Sequence, residues 1–521
     1  MSKSLSSIIS GAATLSMSGD SDPEITGIEY DSRRIRKGNL FVAYPGIHAD
    51  GHDHIASAIR NGAAAILLEK PVKEAVPGIV YVQAADARLS MSGIASAYHD
   101  DPSSSLCVIG VTGTEGKSTT VYLIYQLLTL SGAKAGFFST VMSDTGSGER
   151  PNPEHQTTPE ATAVQGMLAA MRDSGCGYAV VESSSHGLSE RTGRLSDVKF
   201  DIALMTNVTS EHLEFHGTWE RYRSDKANLF RNLDAHDHLK SIGGKQSRLP
   251  SAGIVNADDP SAPYFASSTA KPLLSYSVKT SQATLSASEI VSDRRGSDFT
   301  LEGSQGAVPF RASARINLPG DFNVGNAMAA LLAVSTALGR PIVELLPLLP
   351  LLRPVRGRMM GIDRGQPFEV IIDYAHTPSS FEAILPPIRR RVEGKIICVF
   401  GSGGERDTEK RPRQGAVASE YCDILILADE DPRGEDPLTL LEDIAAGCPG
   451  LTRGERLFFI PDRPSAIRKA FSMAGAGDAV LLLGKGHENS IIRSDRATPY
   501  DEEKEAMAAL EEMGFGIVPE V

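Results

Sequence analysis

The chain has 521 residues, of which 41% are hydrophobic and 22% are charged, a balance typical of globular proteins. A chain of this length is too long for a single hydrophobic core, and it predicts about three domains. The formal net charge of −13 argues against a nucleic-acid-binding protein, whose surface would carry a basic field.

The cysteines and the N-terminus indicate a reducing compartment. The five cysteines are scattered, odd in number and without CxxC spacing, so we expect free thiols and neither a zinc site nor a disulfide frame. The segment MSKSLSSIIS (1–10) has no apolar signal-peptide core, and no segment approaches the roughly 18 apolar residues that cross a bilayer. We therefore expect a cytoplasmic protein with no membrane partner and no nucleic-acid partner.

Residues 1–105 are predicted to form a small N-terminal α/β domain. Apolar runs typical of strands, GNLFVAYPG (38–46) and GIVYVQ (78–83), alternate with small-residue helical stretches, IASAIRNGAAAILLE (55–69) and one that ends near Tyr98. HDDPSSS (99–105) has the composition of a linker to the next domain.

Residues 106–339 are predicted to form a central domain with a mostly parallel, P-loop-type sheet. LCVIGVTGTEGKSTTVYLIYQLLTLSG (106–132) is typical of a buried strand, a Gly-rich turn and a helix. YAVVESSSHGL (178–188) and FDIALMTNV (200–208) are further strands with polar residues at their C-terminal ends. Ligands bind beyond such ends, so these polar residues should converge on one pocket. The helix FNVGNAMAALLAVSTALG (322–339) closes the domain.

Residues 340–521 are predicted to form a C-terminal, Rossmann-like, doubly wound α/β domain. Five strand-like runs are separated by helical stretches. The runs are FEVIIDYAHTP (368–378), KIICVFGSGG (395–404), CDILILADEDPR (422–433), RLFFI (456–460) and DAVLLLGKGHE (478–488).

The segment GVTGTEGKS (110–118) predicts a phosphate-binding loop. It departs from the strict P-loop pattern, because one extra residue separates its first and last glycines. The physical logic is retained, since Gly113 and Gly116 let backbone N–H groups turn toward phosphate oxygens at a helix N-terminus. Lys117 supplies a positive charge for the terminal phosphates, and the Ser118 hydroxyl can reach Mg²⁺. ATP and Mg²⁺ are therefore expected.

Other polar residues admit two interpretations from the sequence alone. Glu182 ends an apolar strand, where a carboxylate holds either a cation or a buried salt bridge. His212 follows the next strand and is either a metal ligand or a structural histidine. Lys226, taken alone, is an ordinary surface lysine on a polar helix. Asn323 and Asn326 fall on the first turn of a helix, where capping is the simplest role.

The loop TGTEGKST (112–119) closely resembles the TGTNGKTT loop of the Mur ligases and the folylpolyglutamate synthases, and Mur motifs follow in the family's order along essentially the whole chain. They are ESSSHGL (182–188), TNVTSEHLEFHG (206–217), YRSDKANLF (222–230), GDFNVGNAMAA (320–330), GR (357–358), DYAHTP (373–378), GSGGERDTEKRP (401–412), EDPR (430–433) and GKGHE (484–488). The resemblance implies an ATP-dependent ligase that activates a carboxylate as an acyl phosphate for attack by an amine.

The resemblance also implies the catalytic and nucleotide-binding residues. The catalytic set is Lys117, Glu182, His212 and Lys226, and the magnesium ligands are Ser118, Glu182, His212 and Lys226. Lys226 would be carbamylated to N6-carboxylysine, which turns a cation into an anion that suits Mg²⁺. The implied ATP-binding residues are Thr112, Gly113, Thr114, Glu115, Gly116, Lys117, Ser118, Thr119, Asn323, Asn326, Arg358, Asp373 and His376.

Within the family, DSR (31–33), TTP (157–159) and the pair EDPR and GKGHE resemble the branch that adds the third residue of the peptidoglycan peptide. Its substrate is UDP-MurNAc-L-Ala-D-Glu, and the family suggests a monomer. The spacing after SSHGL is longer than usual, so Arg194 is preferred to Arg191 as the substrate arginine. The implied substrate contacts are Ser32, Arg33, Thr157, Thr158, Ser184 and Arg194.

The identity of the added amino acid stays open in the sequence. Members that add diaminopimelate carry DNPR where this chain has EDPR. Arg433 retains a bidentate partner for the distal carboxylate of diaminopimelate, whereas Asp431 adds a negative charge that favours an ammonium end. We favour meso-diaminopimelate over L-lysine or L-ornithine. The implied amino-acid-binding residues are Arg406, Glu430, Asp431, Pro432, Arg433, Gly484 and Glu488.

Two alternative functions remain. A sister Mur ligase or a folylpolyglutamate-synthase-like ligase would share the nucleotide motifs but not the EDPR and GKGHE pair. A P-loop nucleotide-gated binding protein would release phosphate without an amino acid, whereas a ligase needs both of its other substrates.

Overall fold

The computed structural model describes residues 2–516 except 11–13, 20, 47–48, 73, 153–155, 210–212, 306–307 and 495. Contacts divide the chain into two compact units. The first comprises Met1–Ser286, Glu302–Phe310 and Gly325–Leu348, and the second comprises Ala287–Leu301, Arg311–Val324 and Leu349–Val521. The predicted domain boundaries at 105/106 and 339/340 stay predictions.

The N-terminal part of the first unit is a five-stranded sheet with helices against it. In spatial order its strands are Thr14–Ser18, Val80–Ala84, Ala63–Leu68, Asn39–Ala43 and Gly27–Glu29. Its helices are Leu5–Ile9, Ile55–Arg60 and Ala87–Tyr98, with a 3₁₀ turn at Gly51–His54 and a short pairing of Lys3–Ser4 with Glu24–Ile25. The expected linker instead forms the 3₁₀ helix Pro102–Ser105, whose Pro102 and Ser103 are buried.

The main sheet has eleven strands, and its centre matches the prediction. In spatial order the strands are Arg150–Pro151, Met142–Asp144, Ala135–Phe138, Tyr178–Glu182, Cys107–Thr112, Ile202–Met205, Ala252–Asn256, Leu273–Ser277, Leu285–Ser292, Ser297–Gln305 and Val308–Ile316. Helices associated with this region are Lys117–Leu130, Ala161–Asp173, Ser185–Leu188, Leu213–His216, Trp219–Asn232, Ala262–Ala266, Asp321–Leu338 and Ile342–Leu345, with a 3₁₀ segment at Leu346–Leu351.

The three strands predicted to carry polar ends are neighbours in this sheet. Cys107–Thr112 is buried at every residue and pairs in parallel with Tyr178–Glu182 on one side and Ile202–Met205 on the other. A strand that is buried on both faces is apolar at nearly every position, and this continuous apolar run is what allowed the strand to be predicted from the sequence. The carboxyl ends of all three strands therefore meet at one edge of the sheet.

The second unit contains a six-stranded sheet that includes all five predicted strands. In spatial order its strands are Met360–Ile362, Glu369–Asp373, Ala479–Leu483, Ile396–Phe400, Ile424–Leu427 and Leu457–Phe459. The first pairs antiparallel and the other five are parallel, as a doubly wound domain requires. Its helices are Pro378–Arg391, Lys410–Tyr421, Pro437–Ala445, Arg463–Met473 and Glu502–Glu512.

Two hairpins, Leu239–Ile242 with Lys245–Arg248 and Ser490–Arg493 with Arg496–Pro499, were not predicted. All five cysteines are free and buried, as expected. Among the described residues no single helix is long and apolar enough to cross a membrane, and only the sharply bent pair Asp321–Leu338 and Ile342–Leu351 reaches that length together.

Candidate active site

The phosphate loop forms the turn that its sequence predicts, between the strand Cys107–Thr112 and the helix Lys117–Leu130. Gly113 and Gly116 have φ angles of 149° and 83°, a region that glycine adopts without strain. A Cβ atom at Gly113 would lie 1.9 Å from Thr206 Oγ1, so no other residue fits there.

The loop is held open by the end of the neighbouring strand. Thr114 N donates to Asn207 O at 2.8 Å, and Glu115 N donates to Asn207 Oδ1 at 2.9 Å. Thr206 Oγ1 donates to Glu115 O at 2.6 Å, and Lys117 Nζ donates to Thr114 O at 2.7 Å. These bonds fix the loop backbone from within the protein, so its N–H groups are positioned for phosphate. Thr112 precedes the loop and is buried, and Ser118 and Thr119 follow on the first helical turn.

Glu182 ends the strand Tyr178–Glu182 beside the start of the helix Lys117–Leu130, and its carboxylate is buried, with 1% of the residue's surface exposed. Ser118 Oγ lies 2.9 and 3.1 Å from its two oxygens, and Thr140 donates to it through both N, at 2.8 Å, and Oγ1, at 3.0 Å. The donors that reach Glu182 in the described part of the chain are therefore neutral groups. Thr140 Oγ1 also lies 3.0 Å from Thr157 Oγ1. Thr140, which the sequence analysis did not identify, therefore joins Glu182 to the predicted substrate contact Thr157.

Lys226 is buried, with 1% of its surface exposed, so its interpretation as a surface lysine is wrong. The helix Trp219–Asn232 is polar overall but turns Tyr222 and Lys226, one turn apart, toward the sheet. Lys226 Nζ donates to Gly113 O at 2.5 Å and lies 4.4 Å from the centroid of the Tyr222 ring. The lysine therefore contacts the phosphate loop itself.

His212 lies outside the described residues. A second histidine of the same segment, His216, was missed by the sequence analysis and is 3% exposed. Its Nδ1 lies 2.7 Å from Asp225 Oδ2, and its Nε2 lies 3.0 Å from Ser185 Oγ. A carboxylate only accepts, so Nδ1 carries a proton. This chain of contacts fixes the helix that carries Lys226 against the segment that follows Glu182.

The predicted substrate contacts on the first unit converge. Ser184 N and Oγ both lie 3.0 Å from Thr158 Oγ1, and Arg194 Nη1 donates to Thr158 O at 2.7 Å. Arg191 instead donates to Phe215 O at 2.6 Å and lies over the Phe215 ring. Geometry therefore groups Arg194, and not Arg191, with the threonine and serine.

Ser32 and Arg33 follow the strand Gly27–Glu29 of the N-terminal sheet. Ser32 is 8% exposed, whereas the Arg33 side chain is exposed and pairs with Asp31 at 2.8 Å. The Arg33 hydrogen bond lowers the pKa of Asp31. Arg33, Arg34 and Arg36 line a cavity of about 710 Å³, and their charge suits an anionic ligand.

The two predicted adenine-side asparagines make different contacts. Asn326 Oδ1 accepts from Thr120 Oγ1 at 3.2 Å and would lie 2.7 Å from a Cβ atom at Gly116, so it packs against the phosphate loop. Asn323 Nδ2 donates to Pro319 O at 2.8 Å. This contact differs from helix capping, in which the side chain accepts from a backbone N–H group of the first turn.

In the second unit, Arg358, Asp373 and His376 surround Tyr374. The Arg358 guanidinium lies 4.7 Å from the Tyr374 ring centroid, and His376 Nδ1 lies 2.9 Å from Tyr374 O. Asp373 accepts from Met359 N at 2.7 Å, and burial raises its pKa. These three predicted residues are therefore brought together.

The predicted amino-acid pocket contains an ion pair that the sequence analysis missed. Lys485 is fully buried, and its Nζ lies 2.9 Å from Asp431 Oδ1 and in contact with Glu488 Oε2. The extra negative charge attributed to Asp431 is thus paired with a cation inside the protein.

Other members of the pocket have unused polar atoms. Glu430 Oε2 and Arg433 Nε are buried and have no hydrogen-bond partner among the residues the structure covers. Pro432 is buried between them, and Gly484, with φ of 103°, leaves room beside Glu430. Arg406 is exposed. Buried polar atoms without partners mark positions where a ligand can complete the hydrogen bonding.

Three family descriptions match consecutive parts of the chain. They are "Mur ligase family, catalytic domain" over 24–97, "Mur ligase middle domain" over 111–334 and "Mur ligase, glutamate ligase domain" over 357–486. A UDP-N-acetylmuramyl-tripeptide synthetase of Treponema denticola is 52% identical, covering 98% of both chains. A UDP-N-acetylmuramoyl-L-alanyl-D-glutamate--2,6-diaminopimelate ligase of Geobacillus kaustophilus is 37% identical, covering 95% of this chain and 96% of the relative.

Solved structures share the fold along the whole chain. A UDP-N-acetylmuramoyl-L-alanyl-D-glutamate--2,6-diaminopimelate ligase superposes with a TM-score of 0.66 and 28% identity, covering 99% of this chain and 100% of that one. The MurF ligase of Thermotoga maritima in complex with ADP gives a TM-score of 0.61 at 19% identity, covering 93% of this chain and 97% of that one, which shows the fold alone.

Proposed function

This chain belongs to the Mur ligase family, and on that premise we propose that it joins a diamino acid to the D-Glu carboxylate of UDP-MurNAc-L-Ala-D-Glu in an ATP-dependent ligation. The product is the tripeptide precursor of peptidoglycan. The observation that carries the proposal is a preformed phosphate loop whose helix begins beside the buried carboxylate of Glu182, next to the cluster of Thr158, Ser184 and Arg194.

The reaction proceeds in two steps, phosphoryl transfer and then amide formation. A D-Glu carboxylate oxygen attacks the γ-phosphorus of ATP and ADP leaves, which converts a poor electrophile into an acyl phosphate. The amine of the incoming amino acid then attacks the acyl carbon, loses a proton, and phosphate departs as the amide forms. The protein mainly positions the reactants and compensates negative charge. Lys117 and the loop N–H groups would do so at the phosphates.

The residues present fit Mg²⁺, which prefers hard oxygen ligands. Glu182 and Ser118 offer a carboxylate and a hydroxyl side by side in a buried setting. Lys226, as a carbamate, would add a second anionic group beside Gly113, and His212 would add a nitrogen ligand. When bound, the ion compensates phosphate charge. We propose ATP-binding roles for Asn326, and for Arg358, Asp373 and His376 in the second unit.

The substrate contacts follow from the same resemblance. We propose that Thr157, Thr158, Ser184 and Arg194 contact the muramoyl dipeptide and that Ser32 and Arg33 contact the uridine diphosphate. The basic cavity beside Arg33 supports an anionic group there. The protein would act in the cytoplasm, where ATP and nucleotide-activated sugars are made, and as a monomer.

For the amino acid, we propose a diamino acid bound by Glu430, Asp431, Pro432, Arg433, Gly484 and Glu488, with Arg406 at the rim. Two observations bear on its identity. Among the described residues Arg433 Nε has no partner, which supports a distal carboxylate as in meso-diaminopimelate; Glu430 Oε2 also has none there, which supports an ammonium group, carried by all three diamino acids. We favour meso-diaminopimelate, because pairing with Lys485 removes the argument that Asp431 repels its carboxylate.

The deciding experiment is ligation of UDP-MurNAc-L-Ala-D-Glu with meso-diaminopimelate, L-lysine and L-ornithine, measured side by side as tripeptide formed and as phosphate released. A ligase releases phosphate only when both the dipeptide nucleotide and an amino acid are present. Phosphate release without them, and no tripeptide from any of the three, would instead identify a nucleotide-gated binding protein. Product with D-Ala-D-Ala or with a folate acceptor would identify a sister ligase.

We expect Arg433→Ala to lower kcat/KM for diaminopimelate by about 100-fold and for lysine by less than about threefold, because a bidentate bond to the distal carboxylate is lost. Steady-state rates with each amino acid measure this difference. Arg453→Ala, an exposed arginine of the same unit paired with Glu442, is the matched control. Equal losses for both amino acids would rule out a carboxylate-binding role for Arg433.

A further inference from the structure

Lys485 is an unusual lysine for its position. It follows the strand Ala479–Leu483, and its side chain is fully buried. Its Nζ contacts two carboxylates from different segments, Asp431 Oδ1 at 2.9 Å and Glu488 Oε2. Burying an ammonium group is costly unless opposite charges and hydrogen bonds compensate it, and these two acidic side chains supply that compensation.

Both carboxylates are engaged by groups inside the protein. Glu488 Oε2 is taken by Lys485, and Glu488 Oε1 accepts from the Tyr374 hydroxyl at 3.2 Å. Burial, and then the charge of Glu488, raise the pKa of Tyr374, so the phenol stays a donor. Asp431 Oδ1 accepts from Lys485 and also from Ile492 N at 2.9 Å.

Glu430 differs from its two acidic neighbours. Its Oε2 is buried without a hydrogen-bond partner among the described residues, and a Cβ atom at Gly484 would lie only 3.0 Å from it. Burial is the main influence on its carboxyl and raises the pKa, while Lys410 and Lys485 act in the opposite direction. Glu430 therefore offers a buried carboxylate oxygen that the ammonium group of a ligand can use.

We propose that Lys485 is the specificity-determining counter-ion of the amino-acid pocket: by pairing with Asp431 and Glu488 it compensates part of their charge, and Glu430 faces the ammonium group of the incoming diamino acid. This inference rests on the proposed ligase function. It assigns to Lys485 no contact with the substrate, and it explains how a pocket with three carboxylates can admit a ligand that itself carries a carboxylate.

A charge count gives the direction of the effect. Glu430, Asp431 and Glu488 against Lys485 and Arg433 leave a charge of −1. Removing Lys485 changes this sum to −2, and replacing Asp431 by asparagine changes it to 0. The distal end of diaminopimelate is an ammonium and a carboxylate, whereas that of lysine or ornithine is an ammonium alone. A more negative pocket therefore favours lysine and ornithine, whether or not Glu430 is ionised.

The test is the ratio of kcat/KM for meso-diaminopimelate to kcat/KM for L-lysine and L-ornithine. In Lys485→Met the ratio should fall by about tenfold or more, because two uncompensated carboxylates repel the distal carboxylate and attract the ammonium. In Asp431→Asn it should rise by about threefold or more, because Lys485 keeps part of its charge free. Opposite signs in two variants of one ion pair cannot come from a general loss of folding.

Arg389→Met is the matched control, since Arg389 forms an ion pair with Asp423 at 2.9 Å in the same unit. Its ratio should equal that of the unaltered protein. If Lys485→Met does not fold, Asp431→Asn alone still tests the sign. Ratios within about twofold of the unaltered value, or shifts of the same sign in both variants, would overturn the role of Lys485. Absence of tripeptide from the unaltered protein with all three amino acids would instead overturn the ligase function.

Discussion

Replacing Lys117 by alanine is expected to lower tripeptide formation by about 1,000-fold or more, at any ATP concentration. Lys117 Nζ now donates to Thr114 O within the phosphate loop, 2.7 Å away. In the complex the ammonium would face the terminal phosphates, where charge builds up as the γ-phosphoryl group is transferred. A point charge placed there acts mainly on the transition state, so kcat should fall much more than KM for the dipeptide nucleotide rises.

The control for this prediction is Lys134→Ala. Lys134 precedes the strand Ala135–Phe138, and its Nζ bonds to Ser174 O on the protein surface. Its loss should leave kcat within about twofold, since surface contacts of this kind contribute little. Binding of UDP-MurNAc-L-Ala-D-Glu to the Lys117→Ala protein, measured by calorimetry, should persist. Retention of more than about a tenth of the activity would contradict the phosphate-binding role of Lys117.

Much of the fold could be predicted because parallel strands are apolar throughout. The strands that carry Glu182, Cys107 and Ile202 stand out as continuous hydrophobic runs. Their adjacency does not follow from chain order, because the strand after Cys107–Thr112 in the chain is Ala135–Phe138, which pairs with Tyr178–Glu182 instead. The long strands Leu285–Ser292, Ser297–Gln305 and Val308–Ile316 were not predicted. Many of the residues in these strands are exposed or half-buried, and few are large and apolar. Exposed strands carry little periodic signal.

The burial of Lys226 could not be read from its own segment. The helix around it is polar on average, so the sequence suggests a solvated face. Only the tertiary fold shows that Tyr222 and Lys226 lie on the buried face of this helix and that the Lys226 side chain contacts Gly113 O. The same holds for Lys485, whose two carboxylate partners come from Asp431, distant in sequence, and Glu488, three residues on.

Contacts that join distant segments were missed for the same reason. His216 meets Asp225, nine residues on, and Ser185, 31 residues back. Thr140 reaches Glu182 over 42 residues. No spacing rule links such pairs, because helix and strand periods act only within an element. Residues that position others are therefore found by geometry, whereas motif residues such as Lys117 are found by pattern.

The second large effect concerns Lys226. Replacing it by arginine or by methionine is expected to lower tripeptide formation by about 100-fold or more in both cases. Lys226 is buried against Gly113 O of the phosphate loop, and carbon dioxide would convert its amine into a carbamate, releasing a proton. Arginine keeps a positive charge but cannot form a stable carbamate, so an anionic role predicts that both variants fail alike. Tripeptide yield under saturating ATP and Mg²⁺ measures this.

Lys240→Arg is the matched control, because Lys240 is a second buried lysine of the first unit, 2% exposed and 2.5 Å from Asp201 Oδ2. It should lower thermal stability and leave the activity per folded molecule within about threefold, since a buried ion pair is disturbed away from the phosphate loop. In addition, ¹³C-labelled carbon dioxide should give a carbamate carbonyl resonance that is lost in Lys226→Met. If Lys226→Arg instead kept a third or more of the activity while Lys226→Met kept none, the side chain would act as a cation, and carbamylation would not be part of the mechanism.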